Sequence, residues 1–313
     1  FDDLLEEEHP RVALPPPPPA AVRQCLEAAM STLLDDVRYA VRVSVRHRLV
    51  TAAVVATMAL GIGVTTAVYS IVHAVLLSPL PFEDSDRVVQ FRMVLRDGRA
   101  TSNNAFPDLQ DYRAHAQTLA AVAAVSLGRT TITAGGVPEQ HSIAFVDHGY
   151  DDVFRLRPAI GRFFAPEEYE FGAPRVVLIS DRLWRARFGA DQAIVGRDVE
   201  VDREKATIVG VLPPLAYMFP GSDVGFLAPL RPNPRSFHLN RGALWLMGVG
   251  RMRPGVTLEQ TSADVEAIAT ELAKQFPDSN GGLAARVQSL HESETGDTRA
   301  TLILLAAGVG TGV

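Results

Sequence analysis

The chain has 313 residues, which is room for one large domain or two ordinary ones. At 47% hydrophobic and 21% charged residues it is too apolar for a disordered chain. Its net charge of −6 offers no basic footprint for nucleic acid, and its single cysteine excludes an internal disulfide framework or a cysteine-based zinc site.

The first part of the chain differs in composition from the rest. It opens with an acidic stretch and contains an unbroken proline run at 15–19, which favours an extended polyproline II segment. Residues 1–30 are therefore predicted to be a disordered linker. Because Met30 opens a sequence that resembles a natural start, a second interpretation is that residues 1–29 are upstream sequence that is not translated.

An amphipathic helix is predicted over residues 31–48. Apolar residues recur there at every fourth position, and a parallel basic row is formed by Arg38, Arg42 and Arg46. A basic face opposite an apolar one suits a helix that lies in the membrane interface, with lipid as its partner. An ordinary surface helix packed on a core is the alternative.

The next segment has the length and composition of a membrane span. No charged residue occurs from Leu49 to Val72, a run of 24 residues, whereas a spanning helix needs about 20. Pro79 and Pro81 then prevent the helix from continuing. We predict a transmembrane helix over 49–77. A cleaved signal peptide is the main competitor, but its apolar stretch is normally shorter and nearer the start of the chain.

Charges on the two sides of this span predict its orientation. Arginines precede it, and Glu83, Asp84 and Asp86 follow it. The positive-inside rule then places the N-terminus in the cytoplasm and the bulk of the chain outside.

The predicted span also carries a stripe of small residues on one helical face, which would allow a second helix to approach closely. The stripe consists of Ala52, Ala56, Ala59, Gly63, Ala67, Ser70 and Ala74. It favours a multi-helix membrane assembly over a lone anchor. Chance in an alanine-rich helix is the alternative.

Residues 82–299 are predicted to form an α+β domain with two lobes, the middle lobe being inserted at roughly 150–240. Strands are expected at 87–95, 130–133, 141–146, 176–179, 199–202, 206–212, 244–251 and 285–290. Helices are expected at 107–124, 181–188 and 257–276, and Thr257 with Gln260 forms a capping box for the last of them. Residues 300–313 are apolar but too short to span a membrane, so they are predicted to be the start of a second transmembrane helix.

No pattern for catalysis or cofactor binding is found in the sequence. It lacks the Walker A and GxSxG motifs. Potential metal ligands gather only at His141, Asp147, His148, Asp151 and Asp152, and their spacing matches no standard site. We therefore predict no catalytic, cofactor-binding or metal-binding residues, and no enzymatic activity.

Short motifs spread over residues 31–313 give the chain a family resemblance. They are Ala59-Leu60-Gly61-Ile62-Gly63, Pro79-Leu80-Pro81, Phe106-Pro107-Asp108, Gly161-Arg162-Phe163-Phe164, Leu183-Trp184-Arg185, Val195-Gly196-Arg197, Ile208-Val209-Gly210-Val211, Pro254-Gly255-Val256-Thr257 and Gly296-Asp297. The sequence resembles MacB-like, FtsX-type ABC transporter permeases, most of all the acidobacterial duplicated orphan permease branch.

The resemblance implies a mixed α/β periplasmic core domain between the first two membrane helices of a permease in the bacterial inner membrane. It implies partnership with a separate ABC ATPase subunit and with a second permease half or copy, and it allows for a periplasmic adaptor protein. Efflux or periplasmic mechanical work would be the function, and no substrate is implied.

Two other functions are compatible with the sequence. The chain could be a single-span anchored periplasmic binding or adaptor domain, an interpretation that fails if the parent gene continues with three or more spans. A signal-anchored hydrolase is the third possibility, but it requires a nucleophile–base pair that the sequence does not offer.

Overall fold

The computed structural model describes residues 45–72, 82–134, 137–214 and 224–294, together with isolated positions at 39, 42, 43, 80, 219 and 296. The predicted linker at 1–30, most of the predicted amphipathic helix and the predicted helix start at 300–313 lie outside the described residues. The chain divides into two compact units, one that contains the residues up to Ser70 and a domain over Ile71–Leu305, and each is described by itself.

The helical unit contains helix α1, Arg48–Val72. Its segment Arg48–Ala67 is long and apolar enough to cross a membrane, and none of that segment is buried. Two hydroxyl groups inside it are satisfied within the helix: Thr57 Oγ1 donates to the Ala53 carbonyl at 2.9 Å, and Thr65 Oγ1 donates to the Gly61 carbonyl at 2.8 Å. Such back-bonding leaves few polar groups that would oppose insertion into lipid.

The described part of the domain contains twelve strands and five further α-helices. The strands are β1 Val88–Val94, β2 Ala100–Thr101, β3 Asn103–Asn104, β4 Leu119–Ala134, β5 Val137–Val146, β6 Ile160–Gly161, β7 Val176–Ile179, β8 Asp198–Val201, β9 Glu204–Val211, β10 Val224–Pro229, β11 Leu246–Met252 and β12 Ala284–Ser289. The helices are α2 Phe106–His115, α3 Tyr150–Phe154, α4 Asp181–Phe188, α5 Leu258–Gln275 and α6 Pro277–Asn280. Short 3-10 turns occupy Ser85–Arg87, Pro166–Tyr169, Gln192–Ile194 and Phe237–Leu239.

All twelve strands belong to one sheet, whose main order is β12-β1-β11-β4-β5-β10-β7-β9-β6. β2, β3 and β8 pair beside this path. Most pairs are antiparallel, while β5 with β10 and β7 with β9 are parallel. The long hairpin of β4 and β5 connects the two ends of the sheet, since β4 pairs first with β11 and later, at Ile132 and Thr133, with β8.

The shared sheet carries two lobes, each with its own hydrophobic cluster, and a third cluster that includes Val88, Tyr150 and Leu178 draws on strands of both lobes. In the first lobe α2 and α5 cover β1, β11 and β12 around Phe91, Leu109 and Val265. In the second lobe α4 covers β7 to β10 around Trp184 and Ile208. The two-lobed mixed α/β fold expected from the sequence is confirmed, while the boundary at roughly 150–240 stays a prediction.

The prediction of a helix over 107–124 is wrong for the second half of this range. The structure ends α2 at His115 and begins β4 at Leu119. Val122, Ala123 and Ala124 are almost fully buried between β11 and β5, and a strand buried on both faces has a continuous apolar sequence that periodicity does not distinguish from a helix. β10, whose six residues are all buried, was not expected for the same reason.

Candidate functional site: a terminal junction and an interlobe cleft

The points where the chain enters and leaves the domain lie next to each other. β1 begins at Val88 and β12 ends at Ser289, and these antiparallel neighbours pair Val89 with Ser289. Beyond β12, Leu290 is fully buried in the same core cluster as Val88. The described segments that precede β1 and follow β12 therefore meet at one end of the sheet, which we call the terminal junction.

A buried arginine holds the chain that leads into β1. Arg251, on β11, is 3% exposed. Its Nε donates to the Val153 carbonyl at 2.6 Å, and its two terminal nitrogens donate to the carbonyls of Glu83 at 3.1 Å and Asp84 at 3.2 Å. One side chain thus ties α3 and the segment 82–87 to the end of β11.

Two further arginines complete this arrangement. Arg155 Nη1 contacts Glu83 Oε1 at 2.5 Å and Asp84 Oδ2 at 3.2 Å. Arg87 Nη2 donates to the Met252 carbonyl at 2.6 Å, while its Nη1 contacts Asp84 Oδ2 at 3.1 Å. We call Arg87, Arg155 and Arg251 the arginine clamp. It fixes the segment after the apolar helix to two elements of the rigid domain.

Electrostatics explain why the buried position 251 of the clamp carries arginine. Burial lowers the pKa of the Arg251 guanidinium, and the nearby charges of Arg155 and Arg87 lower that pKa further, while Asp84 and Glu83 oppose them. Arginine stays protonated in proteins even when its pKa falls, and its planar fork reaches several acceptors at once. The buried charge is therefore compensated by three carbonyl groups.

An open cleft of about 670 Å³ lies between the lobes. Its lining includes Phe145 from β5, Ala228 from β10 and Trp245 just before β11. The ring of His238 stacks on Trp245 with centroids 4.4 Å apart. Trp245 Nε1 is buried and has no hydrogen-bond partner among the described residues. The cleft falls within the usual size range of small-molecule sites and combines apolar walls with a few polar groups.

The loop on one side of this cleft is braced by Arg231. Its guanidinium donates to the carbonyls of Glu168 at 2.6 Å, Ala173 at 3.0 Å and Pro174 at 2.8 Å. Glu168 itself accepts two bonds from Arg162, at 2.6 and 2.8 Å, and one from the Ala165 backbone nitrogen at 2.7 Å. These donors hold the pKa of the Glu168 carboxyl below its ordinary value, although burial opposes them.

The loose group of potential metal ligands noted in the sequence is divided among separate contacts. Asp147 is buried, forms an ion pair with Arg113 and accepts a bond from the Ala124 backbone nitrogen at 2.8 Å. Burial raises the pKa of Asp147. His141 instead faces Glu139 at 3.5 Å. In the part of the chain that the structure describes, no three His, Cys, Asp or Glu side chains are placed to hold a metal ion.

The predicted interfacial and packing residues lie in the helical unit. Arg42 and Arg46 are exposed, and Arg38 lies outside the described residues. The stripe positions from Ala52 to Ser70 are all exposed, and a Cβ atom added at Gly63 would meet nothing within 4 Å. Ala74 also lies outside the described residues. Packing of the stripe against another helix stays a prediction.

The fold, a mixed α/β domain built on one sheet, is shared with a solved domain of another protein. A solved domain of a Porphyromonas gingivalis protein assigned as a permease matches with a TM-score of 0.54 at 17% identity, covering 67% of this chain and 93% of that one. The chain belongs to the family of MacB-like periplasmic core domains, which it matches over residues 51–268. The family expected from the sequence is thereby confirmed.

Two further solved structures are similar at lower scores. The extracellular domain of the noncanonic ABC-type transporter YknZ from Gram-positive bacteria has a TM-score of 0.47 at 14% identity, covering 64% of this chain and 99% of that one. The periplasmic region of MacB from Actinobacillus actinomycetemcomitans has a TM-score of 0.48 at 11% identity, covering 69% and 94%. A comparison with curated proteins finds no match.

The family match begins inside α1, so the matched region includes most of the apolar helix as well as the domain. A MacB-like periplasmic domain preceded by a helix long enough to cross a membrane fits an inner-membrane protein. Its family is one of transporter permeases rather than classical enzymes, and members work with ABC ATPase partners.

Proposed function

We propose that this chain is part of the permease subunit of an ABC-type transporter, which couples ATP hydrolysis by a separate subunit to efflux or to mechanical work outside the membrane. The observation that carries the proposal is the family match over residues 51–268, which covers most of the apolar helix and the domain as far as α5. The adjacent ends of the domain support it, because they allow the flanking segments to return to one membrane.

The arginine clamp supplies a physical route for the coupling. A rotation or tilt of the first membrane helix would pull on the segment 82–87. Because Arg251 and Arg155 bond this segment to β11 and α3, the pull would move the first lobe as a rigid body. Packed elements have discrete alternative arrangements, so a small shift at the membrane would produce a switch between two states.

The proposal includes a topology and a set of partners. The N-terminus is cytoplasmic, and residues 82–299 are periplasmic, in the bacterial inner membrane. The ATPase is a separate subunit, the permease pairs with a second half or copy, and a periplasmic adaptor protein is a further partner. The subunit itself performs no catalysis and needs no cofactor.

Co-purification tests this function. The full-length protein that contains this chain is tagged, expressed from its own operon and purified in mild detergent, with an unrelated single-span membrane protein as control. We expect a stoichiometric ABC ATPase in the complex, and ATP hydrolysis that changes when the permease is incorporated in lipid nanodiscs. A monodisperse protein without ATPase, from a gene that encodes no further spans, would favour the anchored adaptor domain instead.

A further inference from the structure

The interlobe cleft is a gap in the helical layer over one face of the sheet. Phe145, on β5, packs against the cluster that contains residues of α2 and α5 and also against the cluster that contains residues of α4. Its strand neighbours Ala144 and Val146 belong to the third cluster, because successive side chains of a strand point to opposite faces. The three helices therefore lie on the same face of the sheet, and the cleft of about 670 Å³ lies between them.

The floor of the cleft is apolar and belongs to strands. Phe145 on β5 and Ala228 on β10 both line it and are paired neighbours in the sheet. Val177 on β7 and Val201 on β8 line the same cleft and are almost fully buried. Phe171, in the loop before β7, also lines the cleft but is 58% exposed. Small-molecule sites are lined mainly by such apolar and aromatic side chains.

The charged groups that line the cleft cancel one another. The lining contains two arginines, Arg175 and Arg231, and two carboxylates, Asp202 and Glu204. Arg175 Nε pairs with Glu204 Oε2 at 2.5 Å. Asp202 Oδ1 accepts from the Thr131 backbone nitrogen at 2.8 Å, and Arg231 donates to three carbonyl groups. Each of these charges already has a partner, so an ionised ligand would lose hydration in the cleft without gaining an ion pair.

One wall of the cleft combines stacked rings with uncharged donors. The ring planes of His238 and Trp245 are 23° apart, so the pair forms a flat aromatic surface. His238 Nδ1 accepts from the Asn233 backbone nitrogen at 3.0 Å, which makes Nε2 the N–H donor of a neutral imidazole. Trp245 Nε1 is buried without a partner among the described residues, and a ligand acceptor would remove the cost of that unpaired group. The Ser126 hydroxyl, which also lines the cleft, is a further uncharged donor.

We propose that the interlobe cleft binds an uncharged, largely apolar small molecule that contains a ring and a hydrogen-bond acceptor. The apolar floor provides contact area, the stacked pair of His238 and Trp245 provides a surface for the ring, and the balanced lining selects against ionised groups. The volume of about 670 Å³ suits a ligand of this kind. The proposal concerns binding by the domain itself and does not depend on the proposed transport role.

Photolabelling of the 313-residue chain in a neutral detergent tests the site. The probe is benzophenone, a neutral molecule with two rings and one carbonyl acceptor, and 4-benzoylbenzoate is its anionic counterpart. Peptide mapping by mass spectrometry separates labels in the cleft from labels that probe dissolved in detergent leaves on α1. We expect saturable labelling of peptides that contain Phe145, Phe171 or Trp245, with half-saturation at about 100 µM or lower. The anionic probe should require a concentration about tenfold higher, because its carboxylate must lose hydration.

Ser126→Phe and Leu127→Phe form a matched pair of variants. The two residues are adjacent on β4 and point to opposite faces of the sheet, and only Ser126 lines the cleft. Ser126→Phe places a ring in the cleft and should reduce labelling at Phe171 and Trp245 about tenfold. Leu127→Phe should change this labelling less than about twofold. Circular dichroism checks that both variants fold.

A second variant tests the cleft without adding bulk to the sheet. Phe171→Ala removes an exposed aromatic ring from the lining and should raise the half-saturating concentration about fivefold. An unchanged half-saturating concentration would remove Phe171 from the site and contradict the proposal.

Four further results would overturn the proposal. The first is that no saturable labelling of the cleft occurs up to about 500 µM benzophenone. The second is that Leu127→Phe reduces labelling as much as Ser126→Phe, which would indicate a nonspecific effect. The third is that the anionic probe labels the cleft at an equal or lower concentration, which would indicate an anionic ligand. The fourth is that labelling falls as the protein concentration is raised and dimers form, which would make a second copy of the chain the occupant.

Discussion

At the scale of single residues, the buried side chain of Arg251 donates to three carbonyl groups of the described domain. Replacing it by alanine would leave the carbonyls of Val153, Glu83 and Asp84 without their donor in a buried setting. We expect the free energy of unfolding to fall by about 2–4 kcal/mol, because buried groups are left unsatisfied and charge pairs are lost. Chemical denaturation followed by circular dichroism measures it.

Arg253→Ala is the control for this prediction. Arg253 lies just beyond the end of β11, and its side chain is exposed. Surface substitutions of this kind usually stay within about 0.5 kcal/mol of the parent. An equal loss of unfolding free energy in the two variants would show that the clamp adds no stability beyond the effect of one positive charge.

Glu168 provides a prediction about pH. The bonds from Arg162 and Ala165 lower the pKa of its carboxyl from the ordinary 4.5. A carboxyl with a lowered folded pKa adds stability above its unfolded pKa, and this stability is lost as the pH falls through the folded pKa. The parent should therefore lose stability more steeply than Glu168→Gln as the pH falls below about 4.5.

At neutral pH the Glu168→Gln variant should be less stable by only about 1 kcal/mol, because Arg162 is half exposed and solvent screens the pair. Thermal unfolding of both proteins from pH 6 to pH 3 provides the comparison. Parallel stability curves over this range would show that the ion pair does not form in solution.

At the scale of elements, the sequence predicts a helix better when capping residues identify its ends. α4 ends at Phe188 and is capped by Gly189 in the left-handed conformation, and α5 is preceded by the N-cap Thr257, which forms a capping box with Gln260; both features are as expected from the sequence. β4 and β10 lack such signals, because burial on both faces removes the polar alternation that identifies a strand.

The functional site is harder to predict from the sequence than the fold is. Arg251 reaches partners that are 98 to 168 positions away along the chain. No local spacing encodes these contacts, because the register between β1 and β11 brings them together. Periodic or local signals exist only for the basic row, the small-residue stripe and the family motifs. These features can therefore be predicted from the sequence.

Helix α1 carries a prediction about assembly in the full-length parent protein. Gly63→Leu should reduce co-purification of the ATPase or transport about tenfold if the small-residue stripe packs against another helix. Overpacking typically costs about 1–3 kcal/mol, and lipid offers no compensating gain for an added leucine. Because Gly63 has open space around it in the described unit, any effect must come from a partner helix.

Ile62→Leu is the matched control, since it lies about 100° away on the same helix and changes only the branching of the side chain. We expect it to behave like the parent protein. If the two variants behave alike, the stripe is a result of composition, and α1 serves only as an anchor.

At the scale of the whole molecule, the adjacent ends of the domain determine how force could enter it. β1 and β12 are hydrogen-bonded neighbours over six residue pairs, so a pull on the segment before β1 is transferred directly to the strand that leads out. The sheet then continues through the β4–β5 hairpin into the second lobe. A displacement at the terminal junction would therefore reach the second lobe through continuous strands rather than through loops.

The orientation of the chain in the membrane is the last prediction. In a Cys25→Ser background, a cysteine at Gln192, exposed in the second lobe, should react with a membrane-impermeant maleimide in intact spheroplasts. A cysteine at His47, exposed just before α1, should react only after lysis. The reason is that arginines precede α1 while acidic residues follow it, and the positive-inside rule retains the arginines in the cytoplasm. Labelling of His47→Cys from outside, with protection of Gln192→Cys, would reverse the topology and place the arginine clamp in the cytoplasm.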